Sequence, residues 1–380
     1  MDFSFTSDQE TLRSHLQELL GAVCPPEYAE RCDEEARPPR EAYEALAKQG
    51  WFGLILPAEY GGTGGSPIDL AILLEEAGRH FEELAMWLFR TLTYGGYAVM
   101  QHGTREQKEI FLPRVVRGEI SFCFGLTEPQ SGSDAASLTT RAALDDGRYV
   151  INGQKVFTSG MDISDYCLLV TRTSTGAKKQ QGITNFLVDT KLPGIEIRKI
   201  KTLGQRAIGT TQVFYTDVKV PASAVLGEVD RGWEAVDAYL LYERLCLSAA
   251  RTGAATAAFE YALQYAKTRK QFGRPIGEFQ AISHKLADMK VMLDISRMLV
   301  YRFAWLMSQG KATRHDAAVV KLQTGETYKA VADMGLQILG GYGYCMEYPM
   351  QRFFRDSRLA TIGAGTSEIQ RNIIARGLGL

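Results

Sequence analysis

No stretch of the sequence approaches the run of about 18 uncharged apolar residues that a membrane-spanning helix needs, so no such helix is expected. An excess of charge of either sign is also missing. Lysine plus arginine number 43 and aspartate plus glutamate 44, a net charge of −1. That field is too weak to favour DNA, RNA or an anionic membrane. The six cysteines, Cys24, Cys32, Cys123, Cys167, Cys246 and Cys345, show no CxxC spacing. This argues against a zinc site or a disulfide framework and fits a reducing, cytoplasmic compartment. Internal repeats and low-complexity segments are absent. The acidic start, "MDFSFTSDQETLRSHL", does not resemble a signal or transit peptide. Ser7 with Glu10 reads there as a capping box that opens a folded helix.

What is present is an ordinary globular composition, 45% hydrophobic and 23% charged, over 380 residues, enough for two or three domains. The hydrophobic period changes twice. Residues 1–120 read as helical: Leu12, Leu16, Leu19 and Leu20 form a stripe at helical spacing, and Thr104 with Gln107 marks another helix start. Residues 121–230 read as β. "RYVINGQKVF", "YCLLVTR", "TNFLVD", "IEIRK" and "TTQVFYTDVKVP" are short, β-branched and aromatic, and Asp146-Gly147 predicts a hairpin turn. From residue 231 to 380 long helices return, over 232–270, 279–309, 313–339 and from 366. The fold class is therefore α+β, in the order α, β, α.

"FGLTEPQSGSD" (124–134) opens the β region. Thr127, Ser131, Gly132 and Ser133 offer hydroxyls and backbone N–H groups that suit a flavin edge and a pyrophosphate. The same residues also read as a Ser/Gly-rich turn that caps itself. Glu128 reads as structural, Asp134 as a cap for its own loop, and Asp356 and Arg355 as an interhelical ion pair.

This loop resembles the first signature of the acyl-CoA dehydrogenase family, and "QILGGYGYCMEYPMQRFFRD" (337–356) resembles the second. "RKQFGRPIGEFQ" (269–280), "PAEYGGTGG" (57–65) and the α–β–α order are also similar to that family. The resemblance spans the chain. It implies an N-terminal helical domain, a middle β-barrel or sandwich, a C-terminal four-helix bundle, and FAD held between subunits. By it, Phe124, Leu126, Thr127, Gly132 and Ser133 line the flavin and pyrophosphate. Phe157, Thr158 and Ser159 cover the flavin face, with Phe157 where the family more often has tryptophan. Arg269, Gln271, Phe272 and Gln280 reach the FAD of a neighbouring subunit, as do Gln337, Ile338, Gly340 and Gly341. Thr366 and Glu368 stand near the cofactor. On composition alone Arg269 reads equally as a solvated charge at a helix end. The resemblance further implies an acyl-CoA substrate, an electron-transfer flavoprotein as electron acceptor, and dimers paired into tetramers.

The implied reaction is α,β-dehydrogenation of an acyl thioester, which needs a base. Many family members carry a glutamate in the closing loop, where "GAGTSE" here has Ala364. Val236, Leu240, Glu243 and Leu247, spaced 4, 3 and 4 apart, share one helix face. Glu243 thus stands on an apolar stripe, where desolvation raises a carboxyl pKa toward neutral. A buried glutamate paired with an arginine is the plainer reading. "YERL" (242–245) resembles the subgroup, including the isovaleryl-CoA and long-chain enzymes, whose base lies on this helix. The resemblance then places Ser133, Tyr239, Leu241, Tyr242, Arg244, Ala364 and Gly365 on the substrate side, with Ala364 acting through its backbone N–H. Tyr239, Tyr242 and Phe157 would narrow the acyl pocket. Leu241 departs from the aspartate common in that subgroup. Glu368 is a rival base, though its place at a helix start favours capping. An oxygen-using oxidase or monooxygenase, or an inactive scaffold paralogue, are the competing readings.

Overall fold

The computed structural model describes residues 4–380; the first three residues of the acidic start lie outside them. Among the described residues seven α-helices come first: α1 (Ser7–Val23), α2 (Pro26–Glu34), α3 (Arg40–Lys48), α4 (Pro67–His80), α5 (Glu82–Arg90), α6 (Ala98–His102) and α7 (Arg105–Val116). A π-helical segment, Thr91–Tyr97, joins α5 to α6. The capping box at α1 is made by Thr6 and Gln9, one residue before the expected pair. "TSDQE" contains both patterns, and the extended backbone of Thr6 selects its own hydroxyl. Thr104 and Gln107 cap α7 as expected.

The β region has eight strands: β1 (Phe122–Gly125), β2 (Arg141–Asp145), β3 (Arg148–Ser159), β4 (Tyr166–Arg172), β5 (Ile183–Asp189), β6 (Ile195–Ile200), β7 (Thr210–Pro221) and β8 (Val225–Leu226). They pair in the order β6-β7-β3-β2-β4-β5-β8, with β1 parallel to β4. β2 touches β4 only at Arg141 and Arg172, so the sheet divides into two leaves. Val213, Tyr215 and Ile151 from one leaf bury against Cys167, Leu169 and Phe186 from the other. The expected hairpin joins β2 to β3, with Asp146 and Gly147 both at positive φ, as a type I′ turn requires.

The last region contains α8 (Gly232–Thr268), a short hairpin of β9 (Lys270–Gln271) and β10 (Arg274–Pro275), then α9 (Gln280–Ser308), α10 (Arg314–Leu339), α11 (Met350–Ser357) and α12 (Ser367–Gly377). α10 packs along α8, α9 and α12. α8 also crosses α4 closely. A Cβ on Gly78 would lie 2.1 Å from the Ala250 carbonyl oxygen, and one on Gly253 would lie 1.9 Å from that of Glu75. Two glycines therefore set this approach, which brings α8 against the N-terminal helices. The chain has a three-part fold, helical, sheet and helical. Among the described residues no helix is long and apolar enough to cross a membrane.

Candidate active site

α8 carries Glu243 inward. Val236 and Leu247 on its stripe are buried, Leu240 partly so, and Glu243 is 8% exposed. Burial pushes its carboxyl above the usual range. The Tyr94 hydroxyl, placed to donate to it, and the charges of Arg244, Arg90 and Arg251 oppose that shift without cancelling it. Among the described residues Oε2 has no hydrogen-bond partner, and no arginine forms a salt bridge with Glu243. A carboxylate so placed is a stronger base than an exposed one.

Aromatic rings wall this carboxylate. Tyr94 stacks on Phe124 of β1 with centroids 4.6 Å apart, and Tyr239 meets both rings edge-on. On the adjoining face of α8, Tyr242 stacks on Tyr97 at 4.1 Å. The fold thus brings Phe124 of β1 to Tyr239, Tyr242 and Glu243 of α8. Tyr94 and Tyr97, from the π-helical segment, were not singled out from sequence; the only local sign is the paired glycine in "TYGGY".

The loop after β1 is fastened from below. Lys155 Nζ donates to the Leu126 carbonyl at 3.0 Å and to Glu128 Oε1 at 2.8 Å, with both side chains essentially inaccessible. Glu128 also accepts the backbone N–H groups of Thr139 and Thr140. Burial alone would raise the Glu128 pKa, but the Lys155 charge and these bonds hold it at about 2. Glu128 is structural, as its sequence suggested, and Lys155 is the partner that sequence did not reveal. Asp134 accepts from the Ser137 hydroxyl in its own loop at 2.6 Å. Phe124, Leu126 and Thr127 are partly buried, and Gly132 and Ser133 are exposed. No atom lies within 4 Å of a Cβ built on Gly132, so the chain's own packing does not demand glycine there. Phe157 sits at a bulge of β3, at φ +57° and 64% exposed. Thr158 beside it is buried, and its Oγ1 has no hydrogen-bond partner among the described residues.

Ala364 and Gly365 form a left-handed turn, φ +57° and +84°, ahead of α12. Thr366 caps α12, accepting from the Ile369 N–H. Glu368 is exposed. Its pKa is held low by its own backbone N–H and by Thr366, the direction opposite to that of Glu243. Arg269, Gln271, Phe272, Gln280, Gln337, Gly340 and Gly341 stand on the surface, whereas the Ile338 side chain is buried in the bundle core. Arg355 and Asp356 belong to different contacts: Arg355 pairs with Asp33 at 2.5 Å, and Asp356 accepts the Gln205 N–H at 2.6 Å.

Models of the acyl-CoA dehydrogenase N-terminal, middle and C-terminal domains match residues 6–119, 123–218 and 230–379. The chain belongs to the acyl-CoA dehydrogenase family. It is 36% identical to a 3-(aryl)acrylate reductase of Clostridium sporogenes, over 98% of this chain and 99% of that one. It is 33% identical to a caffeyl-CoA reductase–Etf complex subunit of Acetobacterium woodii, over 98% of each. The structure of butyryl-CoA dehydrogenase from Megasphaera elsdenii superposes with a TM-score of 0.95 at 33% identity, covering 100% of both chains. The chain is thus a member of a family of FAD-dependent oxidoreductases.

Proposed function

We propose that the chain catalyses α,β-dehydrogenation of an acyl-CoA thioester, with Glu243 as the base. The observation that carries this reading is the buried Glu243 carboxylate, whose Oε2 has no partner among the described residues, in a chain with Ala364 in its closing loop. Phe124, Leu126, Thr127, Gly132, Ser133 and Phe157–Ser159 would hold FAD. They fit it: Thr158 Oγ1 is buried and unsatisfied, and Gly132 is a glycine the protein itself does not require. The exposed Arg269, Gln271, Phe272, Gln280 and Gln337–Gly341 would serve a neighbouring subunit, in dimers paired into tetramers. Bound FAD supplies the acceptor for the hydride equivalent from Cβ. Glu243 takes the Cα proton, so that a C–H bond breaks and the carboxyl O–H forms. The Ala364 N–H donates to the thioester carbonyl and stabilises the enolate-like charge. An alanine keeps that donor. Tyr239, Leu241, Tyr242, Arg244 and Gly365 complete the substrate side. The domains run over 1–120, 121–230 and 231–380, and the enzyme works in the cytoplasm. An electron-transfer flavoprotein takes the electrons, a reading supported by the relative named as an Etf-complex subunit.

The test is anaerobic mixing of FAD-loaded native protein and Glu243→Gln with a panel of acyl-CoA thioesters. Native flavin should bleach, while Glu243→Gln should bind thioester without bleaching. Equal bleaching of both would remove Glu243 from the reaction. Reduced enzyme that reoxidises rapidly in air would turn the reading toward an oxidase.

A further inference from the structure

Lys321 lies inside α10 with 1% of its surface exposed. Among the described residues its ammonium makes one hydrogen bond, to the Gly365 carbonyl at 2.5 Å. Burial, reinforced by the charges of Arg251 and Arg244, pulls its pKa down to about 7. A buried cation without a bonded carboxylate is costly, and its one partner is a backbone oxygen in the closing loop.

That loop is strained and doubly tethered. Ala364 is an L-residue in the left-handed region, which costs on the order of 1 kcal/mol or more. The fully buried Gln370 donates from Nε2 to the Ala364 carbonyl at 3.2 Å and to the Gly365 carbonyl at 3.0 Å. From α10, Glu326 accepts the Ser367 hydroxyl at 2.7 Å. Two helices therefore grip one turn through buried polar side chains. Ala364 packs on the same hydrophobic cluster as Tyr239 and Tyr242. Strain held in this way accumulates where backbone direction matters. In a loop that carries no acid, the backbone is what remains to be aimed.

We propose that Lys321 is a positioning residue: by holding the Gly365 carbonyl it fixes the Ala364–Gly365 turn, and so aims the Ala364 N–H at the thioester carbonyl. The inference rests on the dehydrogenase reading above. It assigns Lys321 no contact with substrate. Its effect passes through the turn, and a displaced donor costs rate because stabilisation of developing charge falls steeply with misplacement.

The test uses FAD-loaded native protein, Lys321→Met and Lys321→Arg. Two quantities are read: the rate of flavin reduction at saturating acyl-CoA, and the long-wavelength charge-transfer band formed with a 3-thia-acyl-CoA, which is acidic at Cα but donates no hydride. Lys321→Met should retain FAD, lose about 100-fold in reduction rate with a smaller change in KM, and lose the band. Lys321→Arg should recover part of both. If Lys321→Met does not fold, Gln370→Leu removes the other tether and should weaken the same two signals. A reactive native protein with a Lys321→Met variant that differs only in melting temperature overturns this inference alone. A native protein inert to every thioester overturns the dehydrogenase reading and this inference with it.

Discussion

Tyr94 lies flat against Phe124, planes inclined by 17°, and its hydroxyl favours the charged form of the buried Glu243 carboxylate. One side chain thus ties the π-helical segment, the first strand and α8 together. Tyr94→Phe keeps the stack and removes a bond that favours the charged carboxylate. The Glu243 pKa should rise further, so the acid limb of the kcat/KM profile should move to higher pH, at little cost in stability. Tyr94→Ala removes the ring as well and should cost about 3 to 5 kcal/mol in denaturant unfolding.

The proposed base should be movable. Glu243→Gln should lower the flavin reduction rate by about 10²- to 10⁴-fold. Adding Ala364→Glu should recover at least about tenfold of that, because alanine already occupies the left-handed conformation there and a longer L-side chain adds little backbone strain. Stopped-flow reduction of the single and double variants checks this. A double variant no faster than Glu243→Gln would show that residue 364 does not face Cα.

Acid should attack the loop after β1 first. Glu128 has a folded pKa of about 2 against an ordinary 4.5. Its stabilisation is therefore fully present above about pH 4.5 and is lost as pH falls toward 2. Glu128→Gln should flatten the dependence of melting temperature on pH in that window. Lys155→Met, which strands the buried carboxylate, should cost about 3 to 5 kcal/mol at pH 7.

The opposite sign holds between α5 and α11. Burial lifts Glu82 to about 7 and Asp356 to about 6; the Asp356 charge adds to the rise of Glu82, and the Asp33 charge to that of Asp356. The folded state binds more protons than the unfolded one there. Stability is fully present below the ordinary carboxyl values and declines as pH rises through 6 and 7. Glu82→Gln keeps an acceptor for Gln205, which donates to Oε1 at 3.0 Å. Melting curves from pH 5 to 8 should then show a shallower decline than those of the native protein.

Some of this was readable from spacing alone. The 4-3-4 stripe put Glu243 on a buried face, and burial is a property of the helix period. Lys321 stands on a stripe of the same spacing, Ala317, Lys321, Thr324 and Tyr328, all buried, and was passed over. Its polar neighbours made the stripe look less like a core. The α1 cap was misplaced by one residue because two overlapping boxes compete in "TSDQE", and only the backbone angles choose between them. Tyr94, Lys155 and Gln370 gave no comparable signal, since the function of each depends on partners in other segments.

The sequence by itself determined the α–β–α order, the helix starts and turns, the inward face of α8 and the loss of an acid at residue 364. These depend on periods and residue types within a few positions of one another. The tertiary structure decided what meets Glu243, what grips the closing loop and which carboxylates share a charge. Those depend on contacts such as Glu82 with Gln205 and Lys321 with Gly365, separated by 123 and 44 positions in the chain. A pKa is set by every charge and dipole within reach, and folding alone brings them there.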